Sequence, residues 1–254
     1  MTEQILVTGT VSSLGSTLLE ILGTVSLIRE INPREHWDDV PFYTIVHCAI
    51  DLTNDQTSSI LSDSVYRNAA LIQNALRIKH RKFIHISSVD VSPETSGLKL
   101  GNDTLAAILE DSYYRVVKLA CEAALAANDR PHPISRPTAL LSQPARPNSL
   151  IKSTHDPGSQ LTLNTASIFN FVLHRQVGDF ILTALRNWLS GVYNLAASKN
   201  LRLDEIARIV RANPEYGKFL YRVCEINNAK AKTVYPNFTM DGAPVTATFM
   251  KEFV

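Results

Sequence analysis

A chain of 254 residues is long enough for one large domain, or for one nucleotide-binding domain with a small appendage, and too short for three. Lys and Arg number 25 against 24 Asp and Glu, so no global field draws the chain to nucleic acid or to anionic lipid. The three cysteines, Cys48, Cys121 and Cys224, form no CxxC pair, which reads as buried thiols of a reducing compartment and argues against a zinc site.

In chain order, M-T-E-Q-I-L-V-T-G runs straight into a strand with neither a basic region nor a long apolar segment before it. Neither a signal peptide nor a membrane span is expected, and the cytoplasm is the expected location. Ile5 to Thr8 reads as a buried strand, short, apolar and ended by Gly9. Leu14, Leu18, Leu19 and Leu22 recur at helical spacing, with Gly23 as the stop. Val25 to Ile28 predicts a second strand, Tyr43 to Cys48 another, and Phe83 to Ile86 a third of the same buried kind. Between these last two, Val65, Ala69, Ile72 and Leu76 place a helix over 62–79. Such alternation calls for an α/β fold, a Rossmann-like doubly wound parallel sheet covered on both faces.

A helix is predicted over 113–128, ended by D-R-P-H-P-I-S-R-P, which leads into a short strand around Ile134. Residues 141–165, with Pro144, Pro147, Pro157 and Gly158, carry the least regular pattern and are the expected substrate lid. Helical spacing returns over 176–189, Val192 to Leu195 reads as a brief strand, and Leu203 to Val210 as a helix capped by Asp204 or the residues before it. The tail beyond Arg222 is mixed. The chain thus divides into a nucleotide-binding core over 1–140, a small C-terminal substrate-binding or lid region over 141–170 and 198–254, and a strand–helix return to the core over 171–197.

The turn T-G-T-V-S-S-L-G at 8–15 matches a dinucleotide-binding fingerprint at its first and third glycines, Gly9 and Gly15, with Ser12 where the middle glycine would let backbone approach the pyrophosphate. The helix starting near Leu14 would offer that anion its free N–H groups. The plain alternative is a tight strand-to-helix turn. Arg29 and Glu30 stand side by side where the ribose-reading residue falls. Arg29 suits NADP and Glu30 suits NAD, and either is otherwise a solvated loop charge. The next strand begins only about fifteen residues later, which leaves a reduced adenine pocket and weaker cofactor affinity.

Tyr114 and Lys118 are four residues apart in Y-R-V-V-K-L-A-C-E, one helical turn, so a phenol and an ammonium share a face. An adjacent cation stabilises the phenolate and makes tyrosine a proton-transfer group. Ser88 closes R-K-F-I-H-I-S-S, 26 residues upstream of Tyr114, where a hydroxyl at the end of a strand would hold a substrate oxygen. Each part has a plainer reading: Tyr113 as the active phenol with Tyr114 in the core, Ser87 and Ser88 as turn caps, Lys118 as a surface lysine.

With these landmarks, V-H-C-A at 46–49, S-R-P at 135–137, F-V-L-H at 171–174 and G-V-Y-N-L-A-A at 191–197 followed by L-R-L-D-E-I-A, the sequence resembles a shortened, atypical member of the extended short-chain dehydrogenase/reductase family. The likeness is to its branch of nucleotide-sugar epimerases, dehydratases and 4-ketosugar reductases. The resemblance implies a catalytic trio of Ser88, Tyr114 and Lys118 and an NAD or NADP cofactor. Thr8, Gly9, Ser12, Leu14 and Gly15 would border the pyrophosphate, Cys48 and Ala49 would lie beside the cofactor, and Ser87 and Arg136 near the nicotinamide. It also implies a homodimer formed through the helices over 62–79 and 113–128.

The chain departs from the family where dehydratases carry two adjacent acids after the catalytic hydroxyl; here stand Val89 and Asp90, which disfavours dehydration and leaves Asp90 as an auxiliary base or a turn cap. Arg146 and Arg175 read as contacts for a substrate phosphate or as surface arginines. The expected activity is NAD(P)-dependent oxidoreduction or epimerisation at a carbinol or ketone of a sugar or other small polar metabolite, with a nucleotide sugar as one candidate partner. The alternative is a non-catalytic nucleotide-binding regulatory or scaffold protein that keeps the fold.

Overall fold

Six parallel strands make the central sheet of the computed structural model: β1 (Gln4–Thr8), β2 (Leu27–Glu30), β3 (Phe42–His47), β4 (His80–Ile86), β5 (Pro133–Pro137) and β9 (Gly191–Leu195), in the order β2-β1-β3-β4-β5-β9. The structure describes residues 4–23, 27–30, 42–51, 58–92, 105–128, 132–142, 150–155 and 158–253. The order reverses at β1, whose neighbours are β2 on one side and β3 on the other, and the crevice beyond the carboxyl ends of the strands at such a switch point is where doubly wound sheets bind ligands.

Helices cover both faces. On one lie α1 (Ser13–Gly23) and α5 (His174–Arg186), sealed over Val7, Val46, Ile84 and Leu195 by Leu18, Leu22, Val177 and Ile181. Burying each such side chain contributes roughly 1.5–3 kcal/mol. On the other lie α2 (Ser58–Arg77) and α3 (Leu105–Ala126), packed against each other, with Ile72, Cys121 and Leu125 over Leu6, Ile45 and Phe83. The α/β, doubly wound arrangement is the one the strand–helix alternation requires.

Beyond the sheet, β6 (Ala139–Leu141) pairs in parallel with β8 (Phe171–Leu173), and β7 (Ile168–Phe169) pairs antiparallel with β10 (Leu201–Arg202). With α4 (Leu150–His155), α6 (Leu203–Ile209) and α8 (Gly242–Phe253) they enclose a separate apolar cluster including Phe169, Phe171, Ile206, Val245 and Phe249. The short helix α7 (Ala229–Val234) and Phe238 instead join the main core.

Several element boundaries differ from expectation. The second strand is 27–30 rather than 25–28, because L-I-R-E is what pairs with Gln4 to Val7, and residues 24–26 lie outside the described set. Helix α3 begins at Leu105 rather than 113, consistent with the strong helix formers of L-A-A-I-L-E. His174 opens α5 instead of closing a strand, with Gln176 Oε1 accepting from Leu173 N–H (2.9 Å). Helix α6 is capped through Glu205, whose carboxylate accepts from Arg202 N–H (2.8 Å), while Asp204 pairs with the Arg202 guanidinium. The irregular stretch contains α4, and the mixed tail contains α7 and α8.

Candidate active site

The turn after β1 is shaped by close backbone packing. Gly9 has φ +76°, and a Cβ there would stand 2.6 Å from Ala49 N. At Gly15 a Cβ would meet Gly9 O at 2.2 Å, so α1 is drawn onto the turn in a way no other residue permits. Ser12 closes the arrangement: its Oγ donates to Gly9 O (2.8 Å) and accepts from Gly15 N–H (3.0 Å). It therefore caps α1, taking up one of the N–H groups that a pyrophosphate would use.

The strand ends beside this turn are pinned by side chains. Thr8 Oγ1 is bonded to His47 Nδ1 (2.9 Å) and receives Ala49 N–H (3.3 Å), which ties β1 to the exit of β3. Asn68 of α2 holds the next stretch through Asp51, donating to its carbonyl and accepting its N–H, both at 2.8 Å. Cys48 is buried here, and burial pushes its thiol up to about 12.

Ser88 follows β4 and caps a 3-10 turn over Val89–Val91. Its Oγ donates to Asp90 Oδ2 (2.9 Å) and accepts from Asp90 N–H (3.2 Å), which leaves one lone pair. Tyr114 and Lys118 lie on α3. Lys118 is only 4% exposed; its Nζ donates to Ile86 O (2.9 Å) and stands 5.7 Å from the centre of the Tyr114 ring. Burial holds the ammonium below its ordinary range, with Cys121, Cys48 and Glu122 acting in the opposite direction.

A cleft of about 350 Å³ joins these parts. Ser12, Leu14, Cys48, Ser87, Ser88, Tyr114 and Lys118 all line it. Thr8, Gly9, Gly15 and Ala49 build the turn beside it. Ser87 is buried with its Oγ unpartnered. Arg136 is not among the lining residues: its Nε donates to Glu122 Oε1 (2.9 Å), Nη2 reaches Glu122 Oε2, and Nη1 donates to Ser92 Oγ (3.2 Å). Arg29 is the last but one residue of β2, paired with Leu6 of β1, and its side chain, like those of Glu30 and Tyr113, lies outside the described residues, as does all of Arg146. Arg175 is exposed at the start of α5.

The far wall comes from residues that carry no motif: Thr138, Leu140, Phe169, Asn170, Tyr221 and Val223. Asn170 is fully engaged with Ala197 and Asn200 and holds the wall together. Thr138, directly after S-R-P, and Asn170, directly before F-V-L-H, had a nearby landmark in the sequence; Tyr221 and Val223 had none.

A dinucleotide fits this chain on its own geometry: a glycine turn that admits close approach, a helix N-terminus at its exit, and a cleft running from Ser12 past Cys48 to Tyr114. Among the described residues there is no cluster of His, Cys, Asp and Glu able to hold a metal ion, and no helix is long and apolar enough to cross a membrane.

No protein-family model matches the sequence, and no curated protein matches it. Solved structures do match over the whole chain. RMD from Pseudomonas aeruginosa, complexed with NADPH, is 14% identical with a TM-score of 0.72, covering 100% of this chain and 99% of that one. The UDP-N-acetylglucosamine 4-epimerase from Bacillus cereus is 18% identical with a TM-score of 0.73, covering 99% and 96%. The UDP-glucuronic acid 4-epimerase from Bacillus cereus in complex with NAD is 19% identical with a TM-score of 0.68, covering 99% and 100%. At such identities the likeness is one of fold, and it is the fold that the resemblance to the extended short-chain dehydrogenases/reductases implies.

Proposed function

We propose that this chain is an NAD(P)-dependent oxidoreductase or epimerase acting at a carbinol or ketone carbon of a sugar or other small polar metabolite. The observation that carries the proposal is the buried Lys118 ammonium beside the Tyr114 ring, in one cleft with Ser88 and the glycine turn. Support also comes from the solved structures of the same fold that contain NADPH or NAD.

Leu14, Cys48 and Ser87 would hold the dinucleotide, with the Ser12 hydroxyl competing for one N–H of the turn, and the dinucleotide when bound would supply or take up the hydride. Tyr114 gives a proton to the substrate oxygen in reduction and removes it in oxidation, and positive charge at Lys118 favours the ionised phenol between the two. The spare lone pair of Ser88 receives a substrate hydroxyl and fixes its direction. The wall from Phe169 to Val223 comes from the small region over 141–170 and 198–254, which we assign to substrate binding. The three cysteines are free thiols, in keeping with a reducing cytoplasm; Cys48 and Cys121 are buried as expected, whereas Cys224 is exposed. Tyr66 and Leu71 on α2 and Val116 and Leu119 on α3 are exposed, which supports a homodimer through these helices. Sedimentation of wild type and Leu119→Lys tests that pairing, the variant alone being monomeric.

The Ser12 cap favours a second reading, a nucleotide-binding regulator without turnover. Titration with NADH and NADPH, followed by fluorescence, separates the two when joined to Tyr114→Phe. The enzyme reading requires binding by both proteins and turnover by wild type alone; absence of binding to either dinucleotide overturns it.

A further inference from the structure

The cleft holds a second set of groups that proton transfer does not use. Phe171, Phe169 and Tyr221 stack in series, with ring centroids 5.9 and 5.0 Å apart and interplanar angles of 6° and 24°. Phe169 and Tyr221 line the cleft. The shelf is fixed at both ends, because the phenylalanines belong to β7 and β8 and the Tyr221 backbone is tied to β7 and to the residue before it. Tyr221 N–H donates to Ser167 Oγ (3.1 Å), and its carbonyl accepts from Ile168 N–H (2.8 Å).

Asp90 lines the same cleft and is exposed. Its Oδ2 is taken by Ser88, so recognition of a ligand falls to Oδ1. The phenol of Tyr221 is pushed up to about 12 by burial and by the charge of Asp90, and so remains a donor at neutral pH. Lys118 carries the other formal charge among the described lining residues; it is buried against Ile86 O and the Tyr114 ring, whereas Asp90 is exposed. The charge offered to a ligand at this end is therefore negative.

An aromatic face with a carboxylate and a phenol beside it matches the surface of a sugar ring. The C–H face packs on the aromatic plane, and ring hydroxyls donate to the carboxylate and accept from the phenol. A carboxylate already committed to one hydroxyl donor welcomes another and repels an acid. We propose that Tyr221 and Asp90 form the sub-site for an uncharged sugar ring and select it over the corresponding uronic acid. This rests on the oxidoreductase or epimerase reading, which places the reacting carbon at Tyr114.

Saturation-transfer NMR on the full chain tests it, with the methyl glycosides of glucose, galactose and mannose and with methyl glucuronide as probes. At least one neutral glycoside should receive saturation and bind at least tenfold more tightly than the glucuronide. Tyr221→Ala should remove the signal and Tyr221→Phe retain most of it, while Asp90→Asn should abolish the discrimination against the acid. The proposal is overturned if no neutral glycoside binds, if the glucuronide binds equally well to wild type, or if Tyr221→Ala leaves the signal unchanged. NADH and NADPH binding, measured on the same samples, reports separately on the cofactor reading: its loss with glycoside binding intact sinks that reading and not the sub-site.

Discussion

The Lys118 ammonium is buried 5.7 Å from the Tyr114 ring centre and donates to a backbone carbonyl, that of Ile86. Among the described residues no carboxylate is hydrogen-bonded to it, so its charge is kept at a cost in stability. Lys118→Met should lower turnover by about 10²–10⁴-fold, the range of positioned acid–base groups, while raising the melting temperature at neutral pH. The sign follows from linkage. The folded-state value lies below the ordinary 10.5, so in the window between the two the unfolded chain binds more protons and wild-type stability rises with pH. The variant should lack that rise, and thermal melts from pH 7 to 10 check it; a variant less stable than wild type at pH 7 contradicts the assignment.

Ser12 competes with the ligand its turn is built for, because Gly15 N–H is already paired with its hydroxyl. Ser12→Gly should cost only a few tenths of a kcal/mol as a cap replacement. It should also free the N–H and tighten dinucleotide binding several-fold, read by NAD(P)H fluorescence. Unchanged or weaker binding would show that the serine hydroxyl itself serves the phosphate.

Glu122 and Arg136 form a two-pronged ion pair between α3 and β5, with side-chain exposures of 9% and 18%. Arg136→Met leaves a buried carboxylate without its partner and should destabilise by about 3–5 kcal/mol. The double variant with Glu122→Leu should recover most of that loss in urea unfolding. A single variant of near wild-type stability would mean that Arg136 is available to the cleft after all.

How far such features could be read in advance depends on whether they are local. The placement of Ser88, Tyr114 and Lys118 along one cleft was legible because the first follows a strand and the others are a helical turn apart on one helix face. The six-stranded sheet was legible for the same reason, through short apolar runs such as Ile5 to Thr8 before Gly9. Tyr221 was not: it reaches the cleft through isolated bridges such as Ile168 with Arg222, which leave no periodic pattern. The roles of Ser12 and Arg136 were also hidden, since each residue type suits a phosphate or a carboxylate equally well. Only the nearby Gly15 N–H and Glu122 decide between them.

Three buried histidines set the acid limit of the fold. His47 is lowered to about 3 and His85 well below its ordinary value, in both cases by burial first and then by the charge of Lys118. His174, lowered to about 4 by burial, sits at the start of α5 within 3.2 Å of Thr17 Oγ1. The stacked rings of His47 and His85, 5.6 Å apart, leave His47 Nε2 and both His85 nitrogens without a hydrogen-bond partner, so protonation there meets no acceptor. For each group the folded value lies below the unfolded 6.5, so the stability it confers as a neutral ring is complete above pH 6.5 and is lost as pH falls from there, toward about 3 for His47 and about 4 for His174. Each contributes a slope of up to ~1.4 kcal/mol per pH unit in that window. Melting temperatures should therefore be level from pH 7.5 to 6.5 and fall steeply by pH 5. His85→Phe, which keeps an aromatic ring of similar shape and removes one titrating group, should reduce the slope by about one proton's worth. A wild-type melting temperature that holds level down to pH 5 would mean that the histidines gain hydrogen-bonding partners on protonation, and the interior beneath α3 would then have to be hydrated.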